Sequence, residues 1–159
     1  MLVFLDTEYT DPVQIDLISI GMVAEDGSAE FYAERCDYPA EDCNAFVRVA
    51  VLPLLDAPAG QVLTRDDLAA RLRAWFTTLP SEVAIGCDDR TDYELLVDAL
   101  DGELPANIVG VLDVRQAMAS KVFHQAACLY HSAPGQPWHH ALHDAKAIRA
   151  GWLACQHIG

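Results

Sequence analysis

Five residues carry the chemistry that this sequence offers, and they fall in three separate stretches. They are four acids and one histidine: Asp6, Glu8, Asp92, Asp144 and His139. Four carboxylates can neutralise two divalent cations, and ligands that are mostly oxygen favour Mg²⁺ or Mn²⁺ over zinc. Two ions about 3.5–4 Å apart activate a water and stabilise the leaving oxygen in hydrolysis. A histidine can take the proton from that water. The set predicts a metal-dependent hydrolase.

The first two acids directly follow a short apolar run, in FLDTEYT at 4–10. Asp6 and Glu8 are two residues apart at the end of a predicted strand at 2–5, so their side chains point to the same face. Strand rise places their Cβ atoms roughly 6–7 Å apart, close enough to hold neighbouring ions. The pair by itself is equally compatible with a solvated acidic strand end, so the interpretation depends on the other acids.

The last two residues lie in HHALHDA at 139–145, where a predicted C-terminal helix over about 141–156 begins. Asp144 falls in the first turn, where the helix dipole favours an anion. His139 precedes it by five residues, which would put the two side chains on different sides of one helix. We therefore expect His139 in the preceding loop, free to reach the ions, while Asp144 is anchored.

A mid-chain acid completes the set, and three candidates lie close together. Asp92 opens a predicted helix at 91–100, whose apolar residues would pack inward and fix its direction. Asp88 and Asp89 fit the turn before it, because aspartate is favoured for hydrogen bonding in turns. We predict Asp92 as the ligand and keep Asp88 as the alternative.

The remaining patterns predict an α/β domain with a mixed sheet flanked by helices. Apolar runs bounded by turn signals predict strands at 2–5, 15–24, 29–34, 82–86 and 108–112. Spacing and caps predict helices in part of 41–55, from Thr64 to before Pro80, at 91–100, at about 113–121 and at about 141–156. Three antiparallel strands followed by alternating helices and strands are compatible with the ribonuclease H-like fold.

Length and composition predict one domain over 1–159. An apolar content of 52% with 21% charged residues is typical of a folded globular protein. No apolar run approaches the roughly 18 residues of a membrane span, and no basic leader precedes Asp6, so we expect neither a membrane partner nor a signal peptide. Five cysteines without a Cys-x-x-Cys pair favour free thiols in a reducing, cytoplasmic setting.

The three stretches resemble the motifs of the DEDDh 3′–5′ exonucleases, a superfamily that includes ribonuclease T, oligoribonuclease and the proofreading subunit of bacterial replicative DNA polymerase. FLDTE at 4–8 is similar to its first motif, DYELL at 92–96 to its second and HHALHDA at 139–145 to its third. The stretch from LISIG at 17–21 through VLP at 51–53 more closely resembles a small bacterial exoribonuclease branch known in mycobacteria.

The resemblance implies a ribonuclease H-like fold, two Mg²⁺ or Mn²⁺ ions held by the four acids, and His139 as general base. It also implies that Thr7 and Tyr9 touch the terminal nucleotide and that the protein is a homodimer. The closer branch favours RNA, and DNA is the alternative substrate. The family often has His-Asn or a similar pair shortly before the second aspartate, whereas this chain has Cys87-Asp88. That departure leaves the mid-chain ligand open.

The net charge of −14 argues against binding long nucleic acid through a broad charged surface, because proteins that bind in this way normally use a basic face. Two divalent cations would neutralise four of those charges where the phosphate binds. We therefore expect short or single-stranded RNA, bound at its 3′ end, rather than long duplexes.

Three other functions fit parts of the sequence. The first motif also resembles the opening of haloacid dehalogenase-like phosphatases, with Asp6 as nucleophile. That fold needs a helix and a parallel strand after Asp6 and a suitably placed lysine, but Lys121 and Lys146 both follow the acidic region. His139 and His143 could share a zinc site, although no cysteine pair completes it. An inactive nucleic-acid-binding module is disfavoured because clustered acids repel one another without a cation.

Overall fold

A six-stranded mixed sheet forms the centre of the protein, in the order β4-β3-β2-β1-β5-β6. The structure is a computed structural model that describes residues 1–156; positions 157–159 lie outside it. The strands are β1 Leu2–Tyr9, β2 Leu17–Ala24, β3 Glu30–Arg35, β4 Val62–Leu63, β5 Val83–Cys87 and β6 Ile108–Asp113. The helices are α1 Arg65–Thr77, α2 Arg90–Ala99, α3 Arg115–Met118, α4 Lys121–His131 and α5 Ala141–Gln156. Single helical turns lie at Ala40–Asp42, Val47–Val51, Leu52–Leu54 and Ala59–Gln61.

Strand β1 is the centre of the topology. It pairs antiparallel with β2 and parallel with β5, and β5 in turn pairs parallel with β6. The hairpin between β2 and β3 turns at Asp26-Gly27, and the φ of 75° at Gly27 is the left-handed conformation that favours glycine in such turns. The mixed α/β sheet that the sequence predicted is therefore confirmed.

Alternate residues of β1 belong to two separate cores. Val3 and Leu5 pack into the core beneath α1 and α2, whereas Phe4 packs into the core beneath α4 and α5. The same alternation continues into the polar end of the strand, so successive side chains there reach opposite layers. Among residues 1–156, none of the helices is long and apolar enough to cross a membrane.

Two elements near the site differ from the sequence prediction. β1 continues through its acidic residues to Tyr9 because β2 pairs with it along that length, so the strand does not end at residue 5. The single helix predicted at about 113–121 is instead α3 followed by α4. The Ser120 side chain accepts a hydrogen bond from the Val122 N–H and caps a new helix, which runs on to His131.

The short elements also depart from expectation. The predicted helical part of 41–55 consists of the separate single turns given above rather than one helix. Strand β4, which the sequence did not predict, adds two residues beside β3. The predicted start of α1 is correct, since the Thr64 side chain accepts a hydrogen bond from the Asp67 N–H.

Candidate active site

The carboxyl ends of β1 and β5 meet at one edge of the sheet because these two strands are parallel. Asp6 and Glu8 lie on β1, on the face that α5 covers. Asp88 directly follows β5, and Asp92 lies in the first turn of α2. The ends of two adjacent strands, together with the helix that follows the second, therefore bring four acids to one place.

Asp92 reaches this edge from the opposite layer and is held by β1 itself. One of its carboxylate oxygens, Oδ1, accepts hydrogen bonds from the Thr7 N–H at 3.1 Å and from the Thr7 hydroxyl at 2.5 Å. Helix α2 begins there because the Asp89 side chain accepts a hydrogen bond from the Thr91 N–H. Thr7, predicted as a nucleotide contact, thus orients the neighbouring acid.

A close approach between α5 and β2 brings Asp144 to the same edge. A Cβ atom at Gly21 would lie only 2.2 Å from the backbone nitrogen of Leu142, so this crossing requires glycine. The Asp144 Oδ2 accepts the His140 N–H at 3.1 Å, and the Asp144 N–H donates to the His140 carbonyl at 2.9 Å. These two bonds close the first turn of α5 and anchor the acid.

His139 lies in the loop before α5, as predicted, and is exposed. Its φ of 62° falls in the left-handed region that non-glycine residues rarely adopt. The imidazole stands edge-on to Phe46, with ring centroids 4.9 Å apart and planes at 88°. The loop thus presents this histidine beside the acids rather than on the helix.

The ligand-capable atoms of the site form two groups, and within each group the atoms lie within 4.8 Å of one another. One group consists of Glu8, His139 and Asp144, and the other of Asp6, Asp88 and Asp92. Both groups line one cavity of about 290 Å³, together with Tyr9, Asn44 and Phe46. The structure therefore brings every predicted residue together, and Asp88 accompanies Asp92 instead of replacing it.

Burial raises the pKa of each of these acids and is the largest cause, and repulsion from neighbouring carboxylates raises it further at Asp6, Glu8 and Asp92. The pKa of Asp6 is raised well above its usual value, and the charges of Asp92 and Asp144 add to the effect. The pKa of Glu8 rises to about 8, that of Asp92 to about 7 and that of Asp144 to about 6. Such a cluster ionises fully only beside compensating positive charge, and its oxygen-rich donor set suits Mg²⁺ or Mn²⁺.

The competing chemistries find less support in the geometry. His143 is in neither group, and its Nδ1 lies 2.8 Å from the Tyr130 hydroxyl, so it does not join His139 in a zinc site. An antiparallel strand follows Asp6, where the phosphatase fold needs a helix and a parallel strand. Lys146, one of the two lysines available for the phosphatase chemistry, instead forms an ion pair with Glu30, with its Nζ 2.7 Å from the carboxylate oxygen.

Sequence reasoning missed two neighbours of the site. Phe46 precedes the turn Val47–Val51 and is 55% exposed, and because this exposure is visible only in the structure, the sequence carried no signal for it. His131 lies at the end of α4, with Nε2 3.2 Å from Oδ1 of Asp144. Its contact depends on the path of the loop after α4, which residue spacing does not reveal.

Comparison with known proteins adds sequence evidence to this geometry. No protein-family model matches the chain. Two curated 3′–5′ exoribonucleases, from two strains of Mycobacterium tuberculosis, are each 48% identical to it over 60 residues. The predicted resemblance to the DEDD-type 3′–5′ exonucleases is confirmed. The match spans 37% of this chain and only 35% of the length of those relatives.

A solved structure shows the same fold as this chain. It is that of a moderately thermophilic exonuclease I from Methylocaldum szegediense, with a TM-score of 0.58 and 15% identity. The alignment covers 98% of this chain and 40% of that one. The predicted ribonuclease H-like α/β fold is thereby confirmed.

Proposed function

We propose that this protein is a 3′–5′ exonuclease, and more specifically a metal-dependent exoribonuclease that releases nucleoside monophosphates from short or single-stranded RNA. The observation that carries the proposal is the convergence of acids from β1, α2 and α5 with His139 on one cavity. The mycobacterial relatives, named as 3′–5′ exoribonucleases, support the same chemistry and the preference for RNA.

The two ligand groups suit two divalent cations. Asp6, Asp92 and the added Asp88 would hold one ion, and Glu8 with Asp144 would hold the other. Bound Mg²⁺ or Mn²⁺ supplies Lewis-acid polarisation of the phosphodiester and lowers the pKa of a bound water. Thr7 contributes by holding the Asp92 carboxylate toward the cavity.

His139 is the proposed general base. It is exposed at the mouth of the cavity, close to Glu8 and Asp144, and an imidazole changes its charge near neutral pH. Its left-handed backbone and its contact with Phe46 orient the ring. From this position it would take the proton from the attacking water and release it to solvent.

The cavity suits a single terminal nucleotide. Its volume of about 290 Å³ is small, and Tyr9 and Phe46 offer aromatic surfaces on which a base can stack. The net charge of −14 leaves little attraction for long nucleic acid outside the ion-binding groups, which favours short substrates. DNA remains the second candidate substrate, because no residue described here selects the 2′-hydroxyl.

The decisive assay incubates 5′-labelled short RNA, and DNA of the same sequence, with Mg²⁺ or Mn²⁺. We expect a ladder that shortens by single nucleotides from the 3′ end, faster for RNA and abolished by EDTA. His139→Ala should lose most turnover while retaining metal binding, and Asp6→Ala should lose both. His124→Ala, in an exposed position on α4, is the matched control. Absence of cleavage, or cleavage that survives EDTA, would contradict the proposal.

We also propose that the protein is a cytoplasmic homodimer. The resemblance supports the dimer, and the cysteine pattern supports the cytoplasmic location. One chain has a mass of 17.4 kDa. Light scattering after size exclusion should therefore give about twice that mass for the dimer, and a monomer mass would contradict this part alone.

A further inference from the structure

His131, at the C-terminal end of α4, is buried in a polar and aromatic setting. Its side chain is 1% exposed. Nδ1 lies 3.0 Å from the Gln136 carbonyl and donates to it. The ring stacks on Trp138, with centroids 3.7 Å apart and planes at 24°. The loop between α4 and α5 is thus folded back onto this one side chain.

The other ring nitrogen of His131 faces the active site. Nε2 lies 3.2 Å from Oδ1 of Asp144, and because Nδ1 already donates to the Gln136 carbonyl, this contact is an ion pair when the ring carries protons on both nitrogens. Among the described residues Nε2 makes no directed hydrogen bond. The second oxygen of Asp144 accepts the His140 N–H. The carboxylate is therefore contacted on one oxygen by α5's own first turn and on the other by α4.

We propose that His131 is a positioning residue for the Asp144 carboxylate, and through Trp138 for the loop that carries His139. This inference rests on the proposed function, because it takes Asp144 as a metal ligand. Groups that contact a metal ligand from behind orient it, and their removal typically weakens metal affinity about 10–100-fold. The role belongs to Nε2, since a phenyl ring could fill the same space and stack on the same indole.

Three substitutions separate this role from simple packing. His131→Phe keeps the ring and loses both nitrogens. His131→Gln places an amide nitrogen at roughly the reach of Nε2, whereas His131→Asn is polar but one carbon shorter. The readouts are direct Mn²⁺ binding by electron paramagnetic resonance, melting temperature without metal, and the split between kcat and KM for a short RNA.

We expect His131→Phe and His131→Asn to bind Mn²⁺ about 10–100-fold more weakly than the parent, and His131→Gln to recover most of that affinity. KM for RNA should stay near the parent value at saturating metal. His124→Phe, on the same helix but exposed, should leave all readouts unchanged. If His131→Phe does not fold, the Mn²⁺ affinities of His131→Asn and His131→Gln test the proposal instead.

Two results would overturn the inference while leaving the proposed function intact. One is Mn²⁺ affinity equal to that of the parent in His131→Phe and His131→Asn. The other is an equal loss of Mn²⁺ affinity in His131→Asn and His131→Gln that runs in proportion to their loss of melting temperature. A parent protein that binds no Mn²⁺ would instead overturn the proposed function together with this inference.

Discussion

Gly21 lies opposite Asp6 on the adjacent strand β2, and this pairing lets α5 approach the acids. The hydrogen atom of the glycine leaves room for the backbone of Leu142, which any side chain would displace. An acid on β1 and an acid on α5 can therefore share a cavity only because β2 has no side chain at the position opposite Asp6. A small residue outside the site thus determines the geometry within it.

Replacing Gly21 by alanine should displace α5 and its acid. The added Cβ would lie 2.2 Å from the Leu142 nitrogen, a backbone atom that cannot rotate away. We expect a stability loss of about 1–3 kcal/mol, as for other overpacked sites, and a larger loss of turnover. Thermal denaturation and the RNA ladder measure both. Gly110→Ala, on β6 with nothing within 4 Å, is the matched control, and equal behaviour of the two variants would contradict the prediction.

The metal-free protein should lose stability as pH rises. Acids whose pKa is raised by folding bind more protons in the native state than in the unfolded state, so stability falls with pH above their usual values near 4. The relevant values are about 6 for Asp144, about 7 for Asp92 and about 8 for Glu8. In EDTA the melting temperature should therefore fall between about pH 4 and pH 8, and Mg²⁺ should restore it most at the upper end.

The same experiment has an internal control. Asp6→Asn removes one of the repelling charges, so in EDTA at pH 8 it should melt at a higher temperature than the parent while showing no nuclease activity. A melting temperature that rises from pH 5 to pH 8 in EDTA, or no response to Mg²⁺, would mean that the acids do not repel one another in the folded protein.

Part of this site was predictable from local sequence, because it depends on short-range geometry. The common face of Asp6 and Glu8 follows from strand alternation, and the position of Asp144 follows from its place in the first turn of α5. The loop position of His139 also followed, because a helical offset of five residues could not bring it beside Asp144. These relationships span only a few residues of the chain.

The rest depends on contacts between distant segments. Asp88 lies beside Asp6 and Asp92 because β5 lies parallel to β1, a pairing that places Leu2 beside Ala84. Turn propensity alone assigned Asp88 to a loop and carried no information about that neighbour. His131 was missed because its helix, α4, was missed. Gly21 gave a readable signal, since an isolated glycine in an apolar strand often marks a close backbone approach.

Thr7 should affect how tightly the group of Asp6, Asp88 and Asp92 binds a divalent cation. Desolvation raises the pKa of Asp92, while the hydrogen bonds from Thr7 lower it. Thr7→Val removes the hydroxyl donor and keeps the backbone N–H, so Asp92 should become harder to ionise and less well oriented. We expect Mn²⁺ affinity to fall about 10-fold or more and stability by about 1 kcal/mol. Thr7→Ser should restore both, and equal affinities in Val and Ser variants would rule out a role for the hydroxyl.

Asp88 and Asp89 offer a charge-matched test of which turn acid belongs to the site. Asp88 lies with Asp6 and Asp92 in one ligand group, whereas the Asp89 side chain caps α2 by accepting the Thr91 N–H. Asparagine caps helices about as well as aspartate, so Asp89→Asn should keep both stability and activity. Asp88→Asn removes the same charge one residue away, and it should weaken Mn²⁺ binding about 10-fold or more.

Measured side by side, the two variants separate ligation from general electrostatics. If the acidic turn acts only through its overall charge, Asp88→Asn and Asp89→Asn should weaken Mn²⁺ binding equally, because each removes one negative charge from the same turn. We expect the loss only in Asp88→Asn, together with a higher Mn²⁺ concentration for half-maximal RNA cleavage. Equal losses would remove Asp88 from the ligand group and leave Asp92 as the sole mid-chain ligand.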